Sequence, residues 1–577
     1  MTASTAASML FVGRSLNQIR VKSAEDPSLR GTDHLFTQLA QLASLKHPLD
    51  AATFSRTVTD IRHYLSRTTL QRLLPQAKVL EILQLLRDFF LLRRGEFAIA
   101  LTQQADEKIR SRWRRAESLA YEKREGLAAV VVKEGEVAAV LARTWSSMGS
   151  MQGEHAEEDE GLELARDLLR LTLAKSRVPA PATPAAVEGG LASIAPTPFR
   201  NFLFSVPVVL TLQLPSPLDL FLGPSDLQTY TAINSYLLSL RRAHIRLTDL
   251  WKITSLRRHH PAPPAPPYGS TRGGREKVLL LRQRHTSRSN MLRNAWATAS
   301  AAIFFLGETE GYFQAEVVAG LTDGFHRWLR TGEDEQRNDG SKTKPESKQA
   351  SSSIPDSSRE SGAEGNDENH DIWLATTTSH SPGLSTGEGA PAHQRRQHPH
   401  DPQTLATAHR HYLRTLVRRL LLTRQSFTDP LYELLAQIDR LVALVHRSHA
   451  VWAAADLEAD VGVVDAFVDL AREERDVRRE LGDVEARVKR GIEGLVAELR
   501  SLEAASGSIW DEREEEEVVE VDDGWPDIGK ERERGKEGIA EPGQYVPRRV
   551  GGVDRLLMKL DFGSWFTAQG REWEEDD

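Results

Sequence analysis

The chain has 577 residues, 40% hydrophobic and 27% charged, with a formal net charge of -8 and no cysteine. Its length exceeds the roughly 100 to 200 residues of one typical domain, so two or more packed units with sizeable cores are expected. The missing cysteine excludes disulfides, thiolate metal sites and cysteine nucleophiles, and without a net positive charge nucleic acid is not an expected partner.

The first residues, MTASTAASMLFVGRSLNQIR, lack the basic start and long apolar core of a secretory signal. No run reaches the roughly 18 apolar residues that would span a bilayer, so the cytoplasm is expected and a membrane is not. Apolar spacing predicts helices near 33–45, 51–72, 77–122 and 158–176, the third carrying Leu83, Leu86, Phe89 and Phe90. Phe89, Phe90 and Phe97 read as core aromatics. Over 227–251, Tyr230, Ile233, Leu237, Leu240, His244, Leu247 and Trp251 form one stripe at three-then-four spacing. Gly223, Pro224 and Ser225 mark its start, with Ser225 or Asp226 able to cap it. The stripe lasts only about three heptads, so packing inside the chain is expected over a coiled-coil dimer.

Two antiparallel helices are predicted over 404–447, punctuated by Asp429 and Pro430. Leu413, Leu416, Val417, Leu420 and Leu421 form the first apolar face, and Leu431, Leu434, Leu435, Ile438, Leu441, Val442 and Val445 the second. A further amphipathic helix is expected over 462–503, with Leu481, Val484, Val488, Ile492, Leu495 and Leu499 on its buried side. The predicted fold is all-α, an elongated stack of helical bundles. Three stretches, about 255–275, 331–402 and 511–543, are too rich in proline, serine or charge to bury a core and read as disordered, solvated insertions.

Catalytic devices are missing. No GxxxxGK[ST], GxGxxG or HExxH run occurs, and the one GxSxG match, Gly383 to Gly387, lies in the polar insertion without the strand and helix of a nucleophile elbow. His393, His398 and His400 fall in the same insertion, and His409 and His411 are two apart, which on a helix points them to different faces. The run Glu514 to Glu517 reads as a solvated like-charge face. No catalytic residue, metal or cofactor is expected, and the chain is not expected to be an enzyme.

Several local strings, in order, resemble the γ-tubulin complex component family, also known through its spindle pole body members, and most of all its short fourth member. MLFVGRS (Met9 to Ser15) resembles the end of the first grip motif. DFFLLRRGEF (Asp88 to Phe97) resembles the family's DFYLLGRGE segment, with Arg93 where glycine is usual. PLDLFLGPSDLQTY (Pro217 to Tyr230) resembles the WPL-led segment, with Ser216 in the tryptophan position, and continues into LRRAHIRLTDLW (Leu240 to Trp251). MLRNAWATASAAIFFLGETEGYFQAEVV (Met291 to Val318) and AHRHYLRTL (Ala408 to Leu416) resemble helices of the second grip motif. RLLMKLDFGSWF (Arg555 to Phe566) resembles the family's LDxNxxY-like ending.

The resemblance implies residues 1–75 as the remnant of a shortened amino-terminal grip domain and 76–577 as a carboxyl-terminal grip domain that binds γ-tubulin. It also implies lateral contacts with other complex components, a role in microtubule nucleation, and a place at microtubule-organising centres and spindle poles. Leu240, Leu247 and Trp251 are expected in the core. Arg241, Arg242, His409 and Arg410, polar groups on matched helices, are the candidate γ-tubulin contacts. Deleting 335–400 is expected to leave one cooperative thermal transition, and a broadened or lost transition by circular dichroism would contradict the insertion assignment.

Overall fold

The computed structural model describes residues 3–22, 51–65, 76–113, 132–152, 159–174, 194–215, 218–253, 272–330, 402–461, 469–517 and 545–562, with Leu74 and single positions between 37 and 44. The amino-terminal helices are α1 (Ala3–Lys22) and α2 (Ala51–Tyr64), followed by α3 (Gln76–Leu85), α4 (Gly95–Trp113), α5 (Glu134–Gln152) and α6 (Glu160–Leu168). Strands β1 (Leu169–Leu173) and β2 (Val208–Leu212) precede α7 (Pro224–Ile253), α8 (Arg272–Gly311) and α9 (Ala319–Arg330). The chain continues with α10 (Pro402–Arg419), α11 (Gln425–Val461), α12 (Leu470–Glu517) and α13 (Val553–Phe562). The fold is all-α with one small sheet. Most of the helix expected over 33–45 and most of the three expected insertions lie outside the described residues, although α8 begins at Arg272 and the backbone of α12 stays helical through Glu517.

The apolar faces read from the sequence form the core. Tyr230, Ile233, Leu237, Leu240 and Leu247 are buried on α7, as are the predicted leucines and valines of α10, α11 and α12. They join one cluster running from Leu74 to Leu560, while Ile61 and Leu65 form a second with Val12, Leu16 and Tyr64. Trp251 corrects the expectation: it is 58% exposed, its ring 5.4 Å from Trp296. Near the end of the described part of α7, the face that carries the stripe is only partly covered. The start of α7 is a capping-box variant, the Gly223 amide donating to Asp226 Oδ2 at 2.9 Å.

Other boundaries moved. The helix expected over 158–176 stops at Leu168, and Leu169 begins a strand paired antiparallel with β2, Leu169 opposite Leu212 and Leu173 opposite Val208. Burial of Leu169 and Leu171 against Val208, Leu210 and Leu212 follows a period of two, which overrides the short helical pattern. The helix expected over 77–122 breaks in two. Leu86–Phe90 is a π-helical turn, Leu92 takes a left-handed φ of 57°, and α4 begins at Gly95. Opening the helix there leaves carbonyls to be satisfied, and Asn234 Nδ2 donates to Phe89 O at 3.1 Å and Phe90 O at 3.2 Å, while Gln314 Nε2 donates to Leu91 O at 3.0 Å.

The break between α10 and α11 lies at 420–424, where Leu421 has φ 60°, not at Asp429 and Pro430. Pro430 is inside α11, near its start, where one lost backbone bond is tolerated. Asp429 accepts from Thr197 Oγ1 at 2.7 Å and Gln425 Nε2 at 3.0 Å. Nor do these two helices form the expected side-by-side hairpin: α11 packs along α12, and α10 against α7 and α9.

The carboxyl-terminal residues 545–552 lie across α9. A Cβ on Gly320 would stand 2.8 Å from Val550 Cγ1, and one on Gly324 3.1 Å from Arg548 Cβ, so both glycines admit the crossing chain. Tyr312 donates to Gly551 O at 3.1 Å, and Tyr545 packs edge-on against Phe325. Leu237→Asp sets a charge into the α7 core and is expected to cost on the order of 3 kcal/mol or more. A thermal midpoint equal to that of the parent would remove Leu237 from the core.

Candidate functional site

Arg241 and Arg242 occupy neighbouring positions on α7 and point to different surroundings. Arg242 is 3% exposed and sits in a four-residue charge cluster. Its Nη1 donates to Asp439 Oδ2 at 2.8 Å and its Nη2 to Asp106 Oδ1 at 3.3 Å, while Arg246 Nη1 donates to Asp439 Oδ1 at 2.7 Å. Burial works against the charge of Arg242, but the two aspartates outweigh it and hold its pKa above the ordinary value. Burial likewise opposes ionisation of Asp439, and Arg242 and Arg246 overcome it, holding its carboxyl below the usual range. The Arg242 side chain is thus structural and unavailable to a partner surface. Arg241 is half-buried and donates to Glu310 Oε2 at 3.0 Å, an oxygen that His244 Nδ1 also approaches at 3.1 Å.

His409 is fully buried, its Nε2 3.0 Å from the Tyr230 hydroxyl and its ring among Phe221, Phe325 and Tyr412. Burial, helped by the neighbouring Arg410 charge, pushes its pKa down to about 3. It is therefore a neutral core histidine, and the expectation that it faces a partner is corrected by its packing. Arg410 is exposed on α10. It lies close enough to Asp226 to favour that residue's charge, although burial dominates and leaves the Asp226 carboxyl above its usual range. From Asp226 to Arg241 is fifteen residues of α7, about 22 Å at 1.5 Å per residue. The four predicted residues do not converge: two are buried, and the other two occupy separate surfaces.

A different surface gathers exposed apolar and basic groups. Helix α8 runs antiparallel to α7, with Gly307 beside His244 and Trp296 beside Trp251. The first half of α8 extends roughly 30 Å beyond the level of Ile253, the last described residue of α7. It is braced by the end of α11. Arg284 and Arg288 donate to Asp456 at 2.9 and 2.8 Å, and Arg288 lies over the Trp452 ring at 5.4 Å. Trp452 Nε1 in turn donates to Glu474 of α12 at 3.0 Å, and Arg447 pairs with Glu473 at 3.1 Å.

This three-helix end carries Leu279 at 63%, Leu280 at 55% and Leu457 at 56% exposure. Over 272–293 the α8 sequence holds seven Lys and Arg residues against the single acid Glu276. Arg275, Arg282 and Arg293 are exposed there. A basic rim around exposed apolar groups is the form of a protein-binding surface for an acidic partner. The charge imbalance was visible in the sequence, but only the overhang makes it a surface.

Among the described residues no group of three or more His, Asp or Glu is placed to hold a metal ion, and no helix is long and apolar enough to cross a membrane. A crevice lined by Phe199, Asn234, Ser239 and Arg242 has a volume of about 20 Å³, room for one water.

The buried histidine makes a pH test. With a folded pKa near 3 and an unfolded value of about 6.5, His409 contributes stability that is complete above pH 6.5 and is lost as pH falls toward 3. His326, pushed down to about 4 by burial and Arg87, acts in the same direction. Lowering pH from 7.5 to 5.0 should therefore cost about 2 kcal/mol through His409 alone. His409→Gln should be less stable at pH 7.5 but lose less over that interval in urea denaturation; an unchanged pH slope would show that His409 is not the titrating group.

No curated protein matches the chain. The family profile described as gamma tubulin complex component C-terminal matches residues 80–566, which begin in α3 and extend past α13. The matched span contains the π-helical corner, the buried charge cluster and the braced α8 projection. The chain therefore belongs to the γ-tubulin complex component family.

Proposed function

We propose that this protein is a γ-tubulin-binding scaffold of the γ-tubulin complex that supports microtubule nucleation at organising centres and spindle poles. The observation that carries this reading is the family match over 80–566, most of the chain. Continuous packing from Leu74 to Leu560 supports it, because one rigid core transmits position from one end of the molecule to the other. Several such arms side by side would present γ-tubulins in an array, and multivalency would then lower the barrier to a nucleus. In this reading the protein carries out no bond-making, and any guanine nucleotide belongs to the tubulin it holds.

The α8 projection is the proposed γ-tubulin contact, with Leu279 and Leu280 as its exposed apolar groups and Arg275, Arg282 and Arg293 as basic groups along its length. Arg241 and Arg410 remain proposed peripheral contacts. The packed pair of α1 and α2, with Met9 and Leu10 exposed, is proposed to meet neighbouring complex components.

The full chain is expected to retain purified γ-tubulin in a pull-down and to leave actin and αβ-tubulin behind. Leu280→Asp combined with Arg282→Glu and Arg293→Glu should reduce retention at least about tenfold, with a thermal midpoint within a few degrees of the parent because all three side chains are exposed. Failure of the folded parent to retain γ-tubulin would overturn the scaffold reading. Undiminished retention by the triple variant would overturn only the choice of surface.

A further inference from the structure

Residues 545–552 form a strap over α9, and the surface around it is strongly basic. Together the strap, α9 and α10 contain eight arginines, no lysine and one acid, Asp323, which is held by Arg87 at 2.9 Å. Arg414 on α10 and Arg548 and Arg549 on the strap are exposed. No hydrogen bond or ion pair joins any of these three to another described side chain. Arg327, also exposed, lies one turn along α9 from Gly324, the glycine that Arg548 crosses.

The strap runs beside the arginines of α10. Tyr545 packs 6.3 Å from the His411 ring of α10 and 5.4 Å from the Trp328 ring of α9. At the other end Gly551 O accepts from Tyr312, whose hydroxyl also feels the charge of Arg419, the last residue of α10. Between these ends, Arg414 and Arg418 occupy successive turns of α10. Burial, and then the charges of Arg414 and Arg418, hold the His411 pKa below its ordinary value. The strap's main chain is open as well. Among the described residues, the backbone of Tyr545 through Val550 makes no hydrogen bond to other backbone groups. A row of unpaired N–H and C=O groups on a surface segment is a template for a second extended chain.

We propose that this strap and the arginines beside it dock an extended acidic segment of a partner protein, with Arg414, Arg548 and Arg549 receiving its carboxylates. Arginine suits that task because its planar guanidinium meets a carboxylate through two parallel hydrogen bonds. Val546, 64% exposed, adds an apolar contact among the charges. The unpaired main-chain groups favour a peptide, which brings a matching set of amides and carbonyls, and the net charge of -8 works against a nucleic acid. The surface is separate from the α8 projection. Tyr312, where the strap ends, follows Arg293 by nineteen residues of helix, roughly 28 Å, and the proposal does not rest on the γ-tubulin reading.

The test uses the full chain and a fluorescein-labelled peptide of alternating glutamate and valine, at about 50 mM salt so that exposed charges are weakly screened. By fluorescence anisotropy it should bind at least about tenfold more tightly than a counterpart with glutamine in place of every glutamate. Arg414→Gln with Arg548→Gln and Arg549→Gln is expected to remove that preference. The thermal midpoint should stay within a few degrees of the parent, because all three side chains are exposed. Reversing the same positions, Arg414→Glu, Arg548→Glu and Arg549→Glu, should transfer the preference to a peptide of alternating lysine and valine in a variant that still melts cooperatively. The proposal is overturned if the parent does not distinguish the acidic peptide from its glutamine counterpart, or if the preference survives loss of the three arginines. It is overturned equally if an oligouridylate of the same charge binds as tightly and competes with the peptide.

Discussion

The paired charges of Arg242 and Arg246 with Asp106 and Asp439 fix the centre of this molecule. They connect α4, α7 and α11, three helices that are far apart in sequence, inside a core where an unpaired ion would be prohibitively costly. Removing water from four charged groups carries a penalty that their mutual attraction mainly offsets, so the net gain in stability is small. Their stronger effect is on register. Apolar ridges slide past one another at little cost, whereas two guanidinium groups can meet two carboxylates in only one alignment of the three helices. Rotating α7 by one residue would leave Arg242 buried without a partner.

Around that centre, the fold turns corners with apolar residues in place of the usual turn formers. Leu92 and Leu421 hold left-handed backbone conformations that cost a leucine on the order of 1 to 2 kcal/mol each. Both are buried, and burial of a leucine side chain contributes a comparable amount in the other direction. The π-helical turns at Leu86–Phe90 and Tyr312–Val318 have a similar logic. An extra residue in the turn lets adjacent pairs such as Phe89 with Phe90, or Tyr312 with Phe313, all enter the core. Asn234 and Gln314 then satisfy the carbonyls that the first of these turns and its corner release.

Rigidity of this kind suits a protein whose proposed work is to place another protein. Charged helix faces are then the places where partners are chosen, and the two arginine-rich surfaces differ in a way that matters. The α8 projection combines basic groups with exposed leucines, so an acidic partner can gain both steering and apolar burial there. The α10 row is basic with buried leucines beneath it, which leaves electrostatics as its main attraction.

Periodicity alone determined the helical class and the buried faces of α7, α10, α11 and α12, because apolar side chains must lie on one side of a helix whatever it packs against. Composition alone likewise excluded disulfide and thiolate chemistry. Only the tertiary structure decided the corners at 91–94 and 420–424, since LLRR and LLLTR carry no glycine, proline or asparagine and their turns exist because the surrounding core pulls leucines inward. It also decided the site. Arg241 and Arg242 look equivalent in sequence, yet one pairs at the surface with Glu310 and the other is sealed among aspartates. Exposure of Arg282 and Leu280 follows from how little packs over that part of α8. A side chain's availability to a partner depends on what covers it, and that cover is supplied by residues hundreds of positions away.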